Sequence, residues 1–243
     1  MKDTKHVYGE FESVKFNSRR ESFYDYLNFL SERDIPIPEL LEHFPAYVGH
    51  MSLHRVFTLY ELYKKVQNVA GHIAEVGVYK GSGALLFAKL VHIFENEALT
   101  QVHGFDWFEG TGAGGSNDAE HLQPEGSYDC DYELLGDLIK KQHLDHIIRL
   151  HNFDITKELD SFFDQHKHLQ FKLIFMDIGM YDVMKAALPK FWDRLIPGGI
   201  MVFDQYSHEF GPGETIAIRE LLPQVKIRTI PNSWMPNAYA IKE

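Results

Sequence analysis

The stretch Ile73-Ala74-Glu75-Val76-Gly77-Val78-Tyr79-Lys80-Gly81-Ser82-Gly83-Ala84 decides how the rest of the chain is read. An apolar strand, Ile73 to Val78, runs into a turn carrying Gly77, Gly81 and Gly83, and a helical segment, Ala84 to Phe94, follows at once. Glycines reach positive φ and let a ligand approach the backbone with no Cβ in the way, while a helix N-terminus offers N–H groups without intrahelical partners. Together these features predict a cradle for a small polar ligand. The spacing, ExGxxxGxG, differs from the GxGxxG dinucleotide fingerprint, because Glu75 stands inside the strand end and one glycine precedes the wide gap.

Outward from this turn the same rhythm continues. Short apolar runs at Val102 to Phe105, Ile147 to Leu150, Phe171 to Met176 and Ile200 to Phe203 alternate with helical patterns at Tyr132 to Lys141, Lys157 to His166, Val183 to Leu195 and Thr215 to Leu222. Two further strands, Lys226 to Ile230 and Ala238 to Ile241, close the chain. The alternation predicts an α/β fold with a mainly parallel seven-stranded sheet, helices on both faces and an antiparallel C-terminal strand. Before Gly71 the pattern is helical, with Phe23, Tyr26, Leu27 and Leu30 at helical spacing and a second helix running from Ser52 to about Val66. Residues 1–70 are therefore expected to form a helical extension, and residues 71–243 the ligand-binding domain.

Composition narrows the function classes. With 24 Lys and Arg against 35 Asp and Glu, the formal charge of -11 has the wrong sign for a protein that follows a phosphate backbone, so no nucleic-acid partner is expected. The longest apolar runs fall well short of the roughly 20 residues of a membrane span. Cys130 is the single cysteine and Met1 to His6 lack a signal peptide's apolar core, which points to the cytoplasm.

In a sheet of this kind ligands sit beyond the carboxyl ends of the strands, and those ends carry acids. Asp106, followed by Trp107 and Phe108, is placed to accept hydrogen bonds from two ribose hydroxyls through both carboxylate oxygens. The run from Thr111 to Asn117, polar to about Asp131, reads as a lid or as a surface loop. Asp154 reads either as an adenine ligand or as a cap for the helix after it. Asp177 and Asp204 end two neighbouring apolar strands, where desolvation of a carboxylate must be offset by a cation or by donors. Glu214, in the Pro212-Gly213-Glu214-Thr215 turn, reads as a cap of the next helix or as a contact to a bound substrate, and capping is the favoured reading.

The glycine turn resembles motif I of the class I S-adenosylmethionine-dependent methyltransferases, and several motifs occur in the order of one branch of that class. Tyr60 to Lys65, the Glu75 to Gly83 turn, Gly104 to Gly110, Asp177 with Tyr181, Phe203 with Asp204, Pro212 to Thr215 and Ala238 to Ile241 resemble the macrocin O-methyltransferase-like (TylF-like) family over roughly His50 to Glu243. The resemblance implies a Rossmann-like fold and methyl transfer from S-adenosylmethionine to a hydroxyl of a small molecule. That acceptor is often a nucleotide-linked or glycosidic sugar of natural-product or surface-polysaccharide biosynthesis, held by Mg²⁺, and the enzyme is a homodimer or higher homo-oligomer.

On that reading Glu75, Gly77, Gly81 and Gly83 hold the methionine part, Asp106 the ribose, and Trp107, Asp154 and Asp177 complete the donor site. Arg55 pairs with the donor carboxylate or an acceptor phosphate. Two positions depart from the family: Gly179 stands where a second acid implicated as general base is usual, and Gln205 where an acidic metal ligand is usual. If Mg²⁺ is kept, Asp177, Asp204 and Gln205 hold it; if it is lost, His208 is the general base. These departures keep open a cofactor-binding protein with lost or altered catalysis, and the sheet class keeps open an NAD-dependent oxidoreductase.

Overall fold

In a computed structural model, the structure describes residues 17–118, 125–208 and 211–243. Residues 1–16 of the expected N-terminal extension and 119–124 of the expected long loop lie outside the described residues. The chain groups into two compact units, Met1–Phe57 and Thr58–Glu243.

In the first unit α1 (Asn17–Ser31) is followed by two short helices, α2 (Ile37–Glu42) and α3 (Phe44–Tyr47), each opened by a proline in its first turn. Proline suits that position because the first-turn N–H has no helical partner to lose. Tyr26 donates to the Tyr47 carbonyl at 3.0 Å, and Tyr47 donates to Glu39 Oε1 at 2.8 Å, tying the three helices together. Helix α4 (His50–Lys65) begins in this unit.

The second unit is a seven-stranded sheet in the order β3-β2-β1-β4-β5-β7-β6. Its strands are β1 (His72–Val76), β2 (Val102–Asp106), β3 (Ile148–Asn152), β4 (Phe171–Met176), β5 (Leu195–Phe203), β6 (Ile227–Thr229) and β7 (Ala238–Ile241). The first five are parallel, and β7 pairs antiparallel with both β5 and β6, as the sequence leads one to expect. One boundary differs. Pro197 to Gly199 reads as a turn before β5, yet Leu195 pairs with Phe171 and the register shifts before Ile200 pairs with Leu173, so these residues form an irregular first half of the strand.

Alternate residues of the buried strands feed two cores. Ile73, Leu173, Phe175, Ile200 and Val202 pack with α4, α5 (Ser82–Phe94) and α6 (Tyr132–Lys141) on one face. Ala74, Val76, Phe105, Ile174, Met176 and Phe203 pack with α7 (Ile155–Gln165), α8 (Tyr181–Arg194) and α9 (Pro212–Leu221) on the other. The strand order reverses between β1 and β4, both ending at the same edge of the sheet, which makes their carboxyl ends the switch point where such folds bind ligands.

A histidine pair crosses β2 and β3 on the second face. His103 Nδ1 lies 3.0 Å from His151 Nε2, and the His151 ring also packs on Phe105 and Phe162 at centroid distances of 4.6 Å. Burial, reinforced by neighbouring histidines, lowers the His103 pKa to about 3 and that of His151 to about 4. In the unfolded chain both rings take up a proton near 6.5. The unfolded state therefore binds more protons below that value, so stability is full above about pH 6.5 and falls as the pH drops towards 4. Between pH 7 and pH 5 the pair is expected to cost stability at about 1.4 kcal/mol per unit and group, so in denaturant unfolding the wild type should lose more over that range than a His103→Phe variant. Equal losses in the two proteins would contradict this.

Candidate active site

The site is built from four strand tips. At the first, Gly77 adopts φ 90° and its N–H donates to the Phe105 carbonyl at 2.9 Å. A Cβ at this position would stand 2.2 Å from the Asp177 carbonyl oxygen, so only glycine lets the β1 turn pass beneath the β4 tip. Gly81 caps α5 in the left-handed region at φ 78°. Glu75 is 2% exposed, and its Oε1 lies 1.9 Å from where a Gly83 Cβ would be. Gly83 thus makes room for a carboxylate beneath the first turn of α5, where free N–H groups and the helix dipole favour negative charge. Both residues shape the turn from below.

Asp106 holds the turn from the β2 side. Its Oδ2 accepts from the N–H groups of Val78 at 2.8 Å and Tyr79 at 2.9 Å, and its Oδ1 accepts from Phe108 N–H at 2.8 Å. A carboxylate has about four acceptor sites. The three amides leave about one for a ligand hydroxyl, where the sequence reading expects two. The positioning role of Asp106 is not visible in sequence, because its partners come from the neighbouring strand's turn. Two of the residues it holds or touches, Tyr79 at φ 50° and Phe108 at φ 61°, are left-handed without being glycine, and Ser207 after β5 is a third at φ 59°. Such conformations cost free energy and collect at functional sites. The glycine turn with its free helix terminus, and the spare acceptor capacity of Asp106, fit an adenosyl ligand.

The other expected donor contacts stand differently. Trp107 donates through its indole N–H to the Gly110 carbonyl, and its ring faces Gly112 of the same loop. Asp154 takes the capping alternative: Oδ1 accepts from Thr156 N–H at 2.9 Å and Thr156 Oγ1 at 2.6 Å, while Oδ2 pairs with Lys157 at 2.7 Å. These local partners use its carboxylate as a helix cap. Arg55 belongs to the first unit and the other site residues to the second.

The tips of β4 and β5 bring acids together. Asp177, half-buried, follows β4 and donates its N–H to the Val76 carbonyl at 2.9 Å. Asp204 is 3% exposed. Glu214 is completely buried and, contrary to the capping expectation, its Oε1 accepts from Gln205 N–H at 3.0 Å. Thr215 Oγ1 likewise accepts from Ser207 N–H at 2.6 Å, so the first turn of α9 grips the loop after β5. Burial, followed by the charge of Asp204 and then of Asp177, raises the Glu214 pKa well above the ordinary carboxylate value. Its ionisation therefore costs stability as the pH rises above about 4.5. Glu214→Gln is expected to gain thermal stability relative to the wild type at pH 8 compared with pH 5. An unchanged difference at both pH values would contradict this.

A divalent cation finds no fit. Among the described residues no group of three or more His, Cys, Asp or Glu side chains is placed to hold a metal ion. Gln205 turns its Oε1 against two glycines, 2.7 Å from where a Gly179 Cβ would stand and 2.2 Å from a Gly211 Cβ. The expected set of Asp177, Asp204 and Gln205 thus fails as a Mg²⁺ site. Asp204 lies with the buried Glu214, and the Gln205 carboxamide fills the space opened by the missing side chain at 179. His208 is half-buried and its Nε2 is fully enclosed, which does not present that ring edge to an acceptor.

Among the described residues no helix is long and apolar enough to cross a membrane. No curated protein sequence matches the chain. Solved structures do. A crystal structure of CalS11, described as a calicheamicin methyltransferase, superposes with a TM-score of 0.83 at 23% identity, covering 92% of each chain. An apo structure of CalS11, described as a TDP-rhamnose 3'-O-methyltransferase, gives 0.75 at 24% identity over 92% of this chain and 94% of that one. The O-methyltransferase NovP gives 0.64 at 17% identity over 77% and 79%. These likenesses establish the Rossmann-like methyltransferase fold that the resemblance implies, built on the mainly parallel sheet that the alternating pattern predicts. The sequence profile of a methyltransferase domain matches residues 74–206, from the middle of β1 to the loop after β5, and the chain belongs to that methyltransferase family.

Proposed function

We propose that the protein transfers the methyl group of S-adenosylmethionine to a hydroxyl of a sugar carried on a nucleotide or glycoside. The observation that carries the donor half of this reading is the Asp106 carboxylate, fastened to the amides of the glycine turn with acceptor capacity to spare. The acceptor half draws on CalS11 and NovP, whose described activities are O-methylations and, for CalS11, methylation of TDP-rhamnose.

When bound, S-adenosylmethionine supplies a sulfonium methyl that passes to the acceptor oxygen as the C–S bond breaks and its electron pair stays on sulfur. The chain's task is alignment and proton removal. The glycine turn and Asp106 fix the donor, and Asp177 at the β4 tip receives the proton that the acceptor hydroxyl loses. We place the protein in the cytoplasm on its single cysteine, and read it as a homo-oligomer on the exposed Ile37, Leu41 and Phe44 of the first unit. Light scattering after size exclusion tests the last point, and a monomer would refute it.

Incubation with S-adenosylmethionine and a panel of sugar nucleotides, TDP-rhamnose included, tests the activity by mass spectrometry. The expected result is one methyl group gained by an acceptor for each S-adenosylhomocysteine formed. Donor binding with no turnover across the panel would favour a binding protein, the reading that Gly179 and Gln205 keep in view.

A further inference from the structure

The loop after β2 leaves the sheet at Asp106, and it is fastened again on the far side of β1. Asp118 Oδ1 accepts from Tyr181 N–H, the first residue of α8, at 2.8 Å across 63 residues of sequence. Its Oδ2 accepts from Gly115 N–H at 2.8 Å, closing the end of the loop on itself. The sheet order places β1 between β2 and β4. A segment tied to the β2 tip at one end and to the helix following β4 at the other therefore passes the carboxyl end of β1, where the Gly77 to Gly81 turn stands.

Both fastenings are hydrogen-bonded, and the stretch between them is exposed. At the near end Thr111 N–H donates to the Ser127 carbonyl at 2.6 Å, Gly126 N–H donates to the Thr111 carbonyl at 2.8 Å, and Glu109 bridges to Asp129. At the far end the post is itself tied down: the Tyr181 hydroxyl donates to Glu220 Oε2 at 2.6 Å, joining α8 to α9. A Gly213 Cβ would stand 2.5 Å from Asp118 Oδ1 and 2.6 Å from Tyr181 N, so the opening of α9 leaves the space in which the latch seats. Between these points Ala113, Gly114, Gly115 and Ser116 are exposed. A carboxylate on the first N–H of a helix also sits at the favourable end of the helix dipole.

We propose that Asp118 is a positioning residue, the latch of a strap formed by residues 107–118 that closes over the donor site and slows release of the adenosyl ligand. The proposal rests on the donor reading above and adds the element that governs residence time. Donor exit then requires the hydrogen bond from Tyr181 N–H to Asp118 to open while the Thr111 end stays attached.

Two readouts on the full chain test it. Hydrogen–deuterium exchange in the free protein is expected to rise in peptides covering residues 107–118 and the start of α8 in Asp118→Ala, with the wild-type rate in the central strands. Stopped-flow release of S-adenosylhomocysteine is expected to quicken about tenfold in Asp118→Ala, as loss of a charge-assisted hydrogen bond implies. Asp118→Asn, which keeps one acceptor oxygen for Tyr181 N–H, should fall between the two. Unchanged exchange in Asp118→Ala would overturn the latch. Faster exchange with an unchanged release rate would overturn the strap's role in retention. If the wild-type protein binds no S-adenosylhomocysteine, the donor reading fails and retention with it, while exchange still decides whether Asp118 holds the loop.

Discussion

Asp106→Ala is expected to lower affinity for S-adenosylhomocysteine by about a hundredfold or more. Hydrogen bonds to an ionised group contribute about 1.5–3 kcal/mol each, and about 2.7 kcal/mol is a factor of a hundred. The substitution removes the acceptor offered to the ligand and also releases the amides of Val78, Tyr79 and Phe108, so the turn that shapes the site slackens. Asp106→Asn separates the two effects. Its remaining oxygen can still accept from Val78 and Tyr79, whereas its NH₂ group meets the Phe108 N–H, so an intermediate affinity is expected. Calorimetric titration of both variants checks this, and an alanine variant that binds within threefold of the wild type would contradict it.

The largest stability effect lies elsewhere in the sheet unit. Lys172 on β4 is 1% exposed and donates to both carboxylate oxygens of Glu95 at 2.8 Å. Glu95 Oε1 also accepts from Tyr63 Oη at 2.7 Å, and Oε2 from Thr100 Oγ1 at 2.6 Å. Burial pushes the Glu95 carboxyl upward, but the bonds from Lys172, Thr100 and Tyr63 outweigh it and hold the pKa below its ordinary value. Removing one partner of such a pair strands a buried charge at a cost of about 3–5 kcal/mol. Lys172→Met is expected to lose that much in denaturant unfolding, and Lys172→Met with Glu95→Leu to recover a large part of it. A single variant within about 1 kcal/mol of the wild type would show that the network relaxes without its cation.

How much of this was legible in the sequence follows from the range of each interaction. The strand, glycine turn and helix around Gly77 are local, and the acids at 106, 177 and 204 follow directly from apolar runs, so periodicity and turn chemistry locate them. Asp154 was ambiguous because a ligand acid and a helix cap have the same sequence signature, and only the Thr156 and Lys157 contacts separate them. The burial of Glu214, the latch at Asp118 and the Lys172 network involve partners 9, 63 and 77 residues away. No spacing rule reaches that far. One signal was available: Gly179, Gly211 and Gly213 all lie close to polar side chains, Gln205 for the first two and Asp118 for the third, and an unexplained glycine near a strand tip marks a close approach. The same packing bears on both departures, since the Gln205 carboxamide oxygen is turned against Gly179 and Gly211 and occupies the space that an acid at 179 would need as a base.

Titration of the purified protein with S-adenosylhomocysteine, with NAD as the comparison ligand, decides whether the Gly77 to Gly81 turn holds an adenosyl ligand. Micromolar binding of S-adenosylhomocysteine and no binding of NAD are expected, because the glycine turn and Asp106 form an adenosyl site with the wrong glycine spacing for a dinucleotide. NAD binding in its place, or heat from neither ligand, would contradict this.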